Sequence, residues 1–318
     1  MDNNRFYQFD LCRVLCVIWI VGFWHLQYYV SESYRLQGVA YECCKIITNC
    51  ILACFTFLSG FFLSKYKFSS IEDVGMFYKK RLLRFFPLLL VSVLSLVCIG
   101  GGLVSQIIPT MLGYSLFTLR PIQTLWYFSM LIFFYFFTPI LKFTASNRTK
   151  ITWSVILIVL FVVISLKYAD VRLLMYFPFY VIGLNIEKDT FWKILKRNFC
   201  IVWFLLFFAS LVCSLSDSMY VCMYVCMASG VLFLLSLSIL LYHPMLERTI
   251  TIMAYASMCA YLFHRQLYGI IAYSIKHFSS IDYMPLLVAI CSVCVLFGIS
   301  WFVQFQYDKL VKKYVNGY

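Results

Sequence analysis

The first apolar stretch, FDLCRVLCVIWIVGFWHLQYYV over Phe9–Val30, carries three side chains that lipid disfavours: Asp10, Arg13 and His25. Ionisable groups inside a membrane span are costly and by default mark a function. Asp10 and Arg13 stand three positions apart and can pair on one helix face. Near the inner interface an arginine also reaches water along its own stem, so a structural role for this pair stays open. His25 follows Asp10 by fifteen residues, about 22 Å along a helix at a rise of roughly 1.5 Å per residue. That places it toward the outer leaflet. Histidine is the side chain best suited to exchange a proton near neutral pH. The competing reading is an interfacial histidine among Trp24, Tyr28 and Tyr29 of an aromatic belt.

Other stretches offer chemistry of their own. In Phe77–Pro87, FYKKRLLRFFP, Arg81 and Arg84 lie one helical turn apart. Two guanidinium groups on one face suit a phosphate or pyrophosphate; on charge alone, a topology anchor touching lipid headgroups explains them as well. Ser59-Gly60 in FTFLSGFFL reads either as part of a cavity or as a close-packing site between helices. Trp126 and Tyr127 open a span that holds Pro139 further on, and His264 and Arg265 sit in YLFHR. A single histidine on an apolar helix is more often hydrogen-bonded structure than catalyst.

The elements that must position these groups follow from composition. The chain has 318 residues, is 63% hydrophobic and 12% charged, and has a mean hydropathy of +0.88. A water-soluble domain of this length cannot hide so much apolar surface. Continuous apolar runs of about 18 residues or more read as transmembrane helices, and the alternation of a membrane β-barrel is missing. The expected fold is all-α, a polytopic transmembrane helical bundle of about ten spans. They fall near 11–30, 44–64, 85–105, 123–143, 151–168, 174–187, 199–215, 220–242, 251–274 and 284–306. The sixth is short and holds Pro178 and Gly183, which suggests a kink or a neighbouring cavity. With the N-terminus in the cytoplasm, the inner segments carry eighteen Lys and Arg against six outside, so both termini are expected to be cytoplasmic. An odd number of spans would break that balance. One integral membrane domain, 1–318, is expected, with no soluble accessory domain. The segment Gly101–Ile122 is too apolar for an ordinary loop and reads as interfacial or re-entrant.

The net charge of +13 is explained by this positive-inside bias, with no need for a nucleic-acid partner. Most of the fourteen cysteines, among them Cys50, Cys54, Cys98, Cys213, Cys291 and Cys294, lie in apolar runs, where cysteine acts as a small apolar residue. Cys291-Ser-Val-Cys294 has metal-like spacing but no second ligand pair, so no metal is expected. Cys43 and Cys44 lie near an outer loop, and nothing in the sequence establishes a disulfide. The first run is too long for a signal-peptide core and reads as a retained helix.

Taken in order, the stretches FDLCR followed by WH, FLSGFFL, KKRLLRFFP, LWYF with a later TP, FPFYVIGL and YLFH resemble the membrane-bound acyltransferase-3 family. The resemblance runs along nearly the whole chain. It implies a multi-pass plasma-membrane O-acyltransferase that moves an acyl group, usually acetyl, from cytoplasmic acyl-CoA to a hydroxyl of a surface glycan or lipid-linked sugar. Acyl-CoA would be a co-substrate, with no permanently bound cofactor. The family's first-span histidine, treated as catalytic, maps to His25. Its arginine near the start of that span maps to Arg13, and its paired arginines to Arg81 and Arg84, all three with a role in binding the donor. The implied mechanism has the donor phosphates on Arg81 and Arg84, the pantetheine arm threading toward His25, and His25 acting as general base. Asp10, Ser59, Trp126, Tyr127 and His264 are candidates for cavity lining or support. A transporter or flippase of a lipid-linked sugar is the alternative that shares the spans and the buried charges.

One departure from the family pattern bears on the site. The family usually has ten residues between the arginine and the histidine; this chain has eleven between Arg13 and His25. At 100° per residue, a separation of eleven positions leaves two side chains about 20° apart, and twelve leaves them about 120° apart. A regular helix would therefore put Arg13 and His25 on different faces. A π-bulge near Gly22 would absorb the extra residue, and one is expected there.

Overall fold

A computed structural model describes residues 6–118, 121–142, 147–165, 168–186, 191, 195, 199–216, 220–279 and 284–315. Among these, ten helices of thirteen residues or more follow one another, and each overlaps one of the ten expected spans. They are α1 (Tyr7–Trp19), α2 (Gly38–Leu63), α3 (Ile71–Cys98), α4 (Trp126–Lys142) and α5 (Asn147–Ser165). Then come α6 (Arg172–Asn185), α7 (Cys200–Ser216), α8 (Tyr220–Leu241), α9 (Glu247–Ser279) and α10 (Leu286–Val315). Five segments are both long and apolar enough to cross a membrane on those grounds alone: Tyr7–Tyr28, Gly38–Leu63, Ile71–Cys98, Val221–Leu241 and Leu286–Lys312. The fold is an all-α membrane bundle. Of the basic loop residues, Arg5, Arg120, Lys167, Lys188, Lys193, Lys196 and Arg197 lie outside the described residues, as do the expected span ends at 143, 166–167 and 187.

The outward faces fit lipid. On α7, Ile201, Leu205, Phe208 and Val212 are exposed at helical spacing, and on α5 Val155, Val159 and Val163 are exposed likewise. Stripes of this kind are unstable in water and neutral in hydrocarbon.

The chain divides into two compact units. The first, Met1–Phe55 with Glu187–Tyr318, holds α1, the start of α2, and α7–α10. In it α7 packs on α8, α9 on α10, and α1 on both α8 and α9. Side-chain pairs give the directions. Cys12 meets Cys54 and Trp19 meets Thr48, so α1 and α2 run antiparallel. Tyr255 donates to Asp308 and Cys259 to Gln304, so α9 and α10 are antiparallel. Arg13 reaches Ala254 and His25 reaches His264, so α1 and α9 run the same way.

The second unit, Thr56–Ile186, holds the end of α2 and α3–α6 around an aromatic core in which Phe161 and Phe177 have centroids 4.4 Å apart. Here α4 and α6 are parallel, since Phe134 packs on Phe177 while Lys142 reaches Leu184. Within the first unit the odd spans α1 and α9 share a direction, and within the second the even spans α4 and α6 do, as alternating membrane crossings require.

One local feature differs from expectation and one agrees with it. The basic stretch Lys79–Pro87 lies inside α3 and does not precede it. A capping box starts that helix well upstream: Ser70 Oγ accepts from the Asp73 amide at 3.2 Å, and Asp73 Oδ2 accepts from the Ser70 amide at 3.1 Å. Hydropathy marks where a helix meets lipid, whereas a cap marks where it starts. Within 101–122 the chain forms the short helix Ile107–Met111 between two 3₁₀ turns. Its inner side buries Pro109, Thr110 and Met111, while Val104, Ile108 and Leu112 are exposed, an amphipathic pattern suited to an interface.

Candidate active site

The site residues in the first unit gather along α1 and α9. Arg13 pairs with Asp10 at 3.2 Å, and its Nη2 also donates to the Ala254 carbonyl at 2.9 Å. Ten residues further along α9, His264 Nε2 lies 2.9 Å from His25 Nδ1. The two rings are nearly parallel, with 6° between their planes and centroids 4.8 Å apart. Arg13 and His25 therefore both present to α9 from one face of α1.

They share that face because α1 stops being an α-helix at Ile20. Residues Ile20–Trp24 form a π-helical turn, and the His25 amide donates to the Ile20 carbonyl, five residues back, at 2.8 Å. The π turn takes up one residue, so twelve positions behave like eleven and the offset of about 120° falls to about 20°. The bulge lies where the spacing anomaly puts it. Beyond it the chain tightens into a 3₁₀ turn, Leu26–Tyr28.

The hydrogen bonds around the histidine pair fix its tautomers. His264 is fully buried, and its Nδ1 lies 2.8 Å from the Tyr261 carbonyl, which can only accept. Nδ1 of His264 therefore carries the hydrogen. With both rings neutral, His264 Nε2 is an acceptor and the hydrogen between the rings belongs to His25 Nδ1. That leaves the lone pair of His25 on Nε2, at the edge of a half-buried ring, with no hydrogen-bond partner among the described residues. An imidazole whose Nδ1–H is held by a second group while Nε2 keeps its lone pair has the hydrogen-bond pattern of the serine-protease histidine, here with a neutral imidazole as the holder.

Sequence reasoning missed Tyr268. It lies one turn beyond His264, is completely buried, and its hydroxyl donates to the Val21 carbonyl inside the π turn at 3.2 Å. The spacing i, i+4 from His264 was the available signal. The ring also stands edge-on to His264 at 5.9 Å and to Tyr29 at 5.5 Å.

The remaining site residues belong to the second unit. The Arg81 guanidinium is held over Tyr66, Phe77 and Tyr135 at 5.5, 5.8 and 5.9 Å from their ring centroids, and its Nη2 donates to the Tyr66 hydroxyl at 3.3 Å. Arg84, a turn later, is exposed. Trp126 lies under the Arg172 guanidinium at 4.3 Å, and Arg172 Nε donates to Asp170 at 2.8 Å. The Tyr127 hydroxyl is 3.3 Å from Thr56 Oγ1. Ser59 is half-buried beside Gly60, where α2 meets α6 at backbone contact.

Cys12, Cys16 and Cys54 bring three buried thiols within 4.8 Å of one another. Soft thiolate ligands of this kind suit Cu(I) or zinc, but no fourth ligand joins the three among the described residues, as a structural zinc site needs. Cys291 and Cys294 are exposed on α10. None of the fourteen cysteines is joined in a disulfide.

An all-α membrane bundle with a part-buried, tautomer-locked histidine pair carries a group suited to proton transfer. A family model described as an acyltransferase domain, of the acyltransferase 3 family, matches residues 6–305. The chain belongs to that family and is a multi-pass membrane acyltransferase. No curated protein and no solved structure matches it.

Proposed function

We propose that the protein is an O-acyltransferase of the plasma membrane. It moves an acyl group, acetyl in the first instance, from cytoplasmic acyl-CoA to a hydroxyl of a surface glycan or lipid-linked sugar, with His25 Nε2 as general base. The observation that carries this reading is the bond from His264 Nδ1 to the Tyr261 carbonyl, which leaves the lone pair of His25 on Nε2. The acceptor hydroxyl gives its proton to Nε2 as its oxygen attacks the thioester carbonyl. The C–S bond then breaks, and the CoA thiolate takes the proton back from Nε2, so the base is restored in one turnover.

Arg81 and Arg84 are assigned to the donor phosphates. The aromatic groups around Arg81 support this, because they limit its rotamers without using its full set of N–H donors. Arg13, expected at the donor, is assigned instead to anchoring: its bond to the Ala254 carbonyl ties α1 to the helix that carries His264, and Asp10 one turn back on α1 steadies it. The excess of basic residues on the inner segments supports cytoplasmic termini.

The test follows release of free CoA from acetyl-CoA by the protein in membrane vesicles that carry native glycolipids. His25→Ala is expected to lose about 10²–10⁴-fold in rate, the range for a positioned general base. Full acyl transfer by a folded, inserted His25→Ala protein would remove the proposal. A transporter would consume no acyl-CoA in either form.

A further inference from the structure

The π turn in α1 creates a backbone problem that the fold solves with one side chain. In a regular helix the Val21 carbonyl would accept from the His25 amide four residues on. That amide is instead on Ile20. A carbonyl that loses its partner in the interior of a membrane bundle has no water to turn to. The Tyr268 hydroxyl occupies the vacated position at 3.2 Å. Tyr268 comes from α9, the helix that also supplies His264, and its ring packs against His264. One face of α9 thus holds both the backbone that aims His25 and the ring that sets its tautomer.

We infer that Tyr268 is a positioning residue for His25: its hydroxyl replaces the His25 amide on the Val21 carbonyl and so holds the π turn that brings His25 onto the face of α1 shared with Arg13. The inference rests on the reading of His25 as the base. It adds a residue that touches neither donor nor acceptor and yet sets the rate through backbone geometry. It also turns the extra residue between Arg13 and His25 from an irregularity into a feature with a dedicated partner.

The experiment compares four proteins: the parent, Tyr268→Phe, a chain lacking Gly22, and the chain combining both changes. Each is assayed in membrane vesicles with acetyl-CoA, alongside His25→Ala. Tyr268→Phe removes one oxygen and is expected to lower kcat about tenfold or more, with KM for acetyl-CoA unchanged. Deleting Gly22 removes the need for a bulge, since the arginine and the histidine are then eleven positions apart and share a face in a regular helix. That chain is expected to stay within about threefold of the parent. In it, Tyr268→Phe is expected to cost less than about twofold. Amide hydrogen exchange at Val21–His25 gives a readout independent of the deletion, and faster exchange is expected in Tyr268→Phe.

Full kcat in Tyr268→Phe, the same loss in both backgrounds, or unchanged exchange protection would each overturn the inference. If the Gly22 deletion does not insert, the exchange measurement decides. Full activity of His25→Ala would instead defeat the reading of the base itself. An inactive His25→Ala beside a fully active Tyr268→Phe would defeat only this inference.

Discussion

His264 Nε2 accepts a hydrogen bond from His25 Nδ1 across 2.9 Å, and the direction of that bond is set one turn away by the Tyr261 carbonyl. The pair is therefore asymmetric: one imidazole is spent on holding the other. A neutral holder contributes orientation and tautomer without the charge that a carboxylate would bring into a bundle interior.

This asymmetry makes a prediction about His264. His264→Ala should lower kcat at least about tenfold, part of the roughly 10²–10⁴-fold that a positioned base supplies, and leave KM for acetyl-CoA unchanged. His264→Gln can still offer an amide oxygen to His25 Nδ1–H and should recover part of the rate. Steady-state kinetics on the three proteins separate orientation from mere packing, since equal losses in Ala and Gln would refute the acceptor role.

Gly60 and Gly75 make opposite predictions. A Cβ on Gly60 would lie 2.2 Å from the Tyr180 carbonyl oxygen, and one on Gly183 2.2 Å from that of Phe57. The helices α2 and α6 touch backbone to backbone there, the small-residue packing of membrane helices. Gly60→Ala must push them apart and should cost roughly 1–3 kcal/mol or more. Gly75, within α3, has nothing within 4 Å of its ideal Cβ. Gly75→Ala should be neutral or stabilise by about 0.5–1 kcal/mol. Thermal unfolding of the detergent-solubilised proteins reads both.

These glycines also show how much the sequence could say. The ten apolar runs are legible because membrane burial imposes length and hydropathy on each helix separately. The π turn is legible because it leaves an arithmetic trace, one residue too many between two groups that must share a face. Ser59-Gly60 leaves two readings open in sequence, cavity or close packing, and the contact of Gly60 with the Tyr180 backbone favours close packing at that glycine. The pairing of His25 with His264 depends on α1 and α9, which are separated by more than two hundred residues, and no spacing rule connects them. Trp126 is similar: its aromatic face is visible in sequence, but the Arg172 stacked on it is a tertiary choice. The extent of α3 is missed for another reason, because its first turns are polar and only the Ser70–Asp73 cap announces them.

Arg81 and Arg84 should respond differently to lysine. Arg81→Lys loses the flat cation packed among Tyr66, Phe77 and Tyr135 as well as the fork of donors. Arg84, being exposed, loses only the fork. If both serve the donor, each substitution raises KM for acetyl-CoA, by about tenfold for Arg81 and by less for Arg84, with kcat close to the parent. A donor-independent role as lipid anchors predicts no change in KM for either.

The Asp170–Arg172 pair supplies a pH test outside the membrane spans. Burial alone would raise the Asp170 carboxyl, but the hydrogen bonds and charge of Arg172 outweigh it and hold the group below its usual value. A carboxylate whose folded value is depressed contributes stability that is complete above its unfolded value, about 3.9, and disappears as pH falls through the folded value. Asp170→Asn should therefore be less stable than the parent at neutral pH. The partly exposed setting limits the gap to about 1 kcal/mol or less. The two proteins should converge only as pH falls below about 4, through the depressed value of Asp170. Unfolding midpoints measured from pH 7 downward would show this. A gap that persists unchanged to the acid limit would mean that the asparagine costs packing around Arg172 and Trp126, with no contribution from the charge.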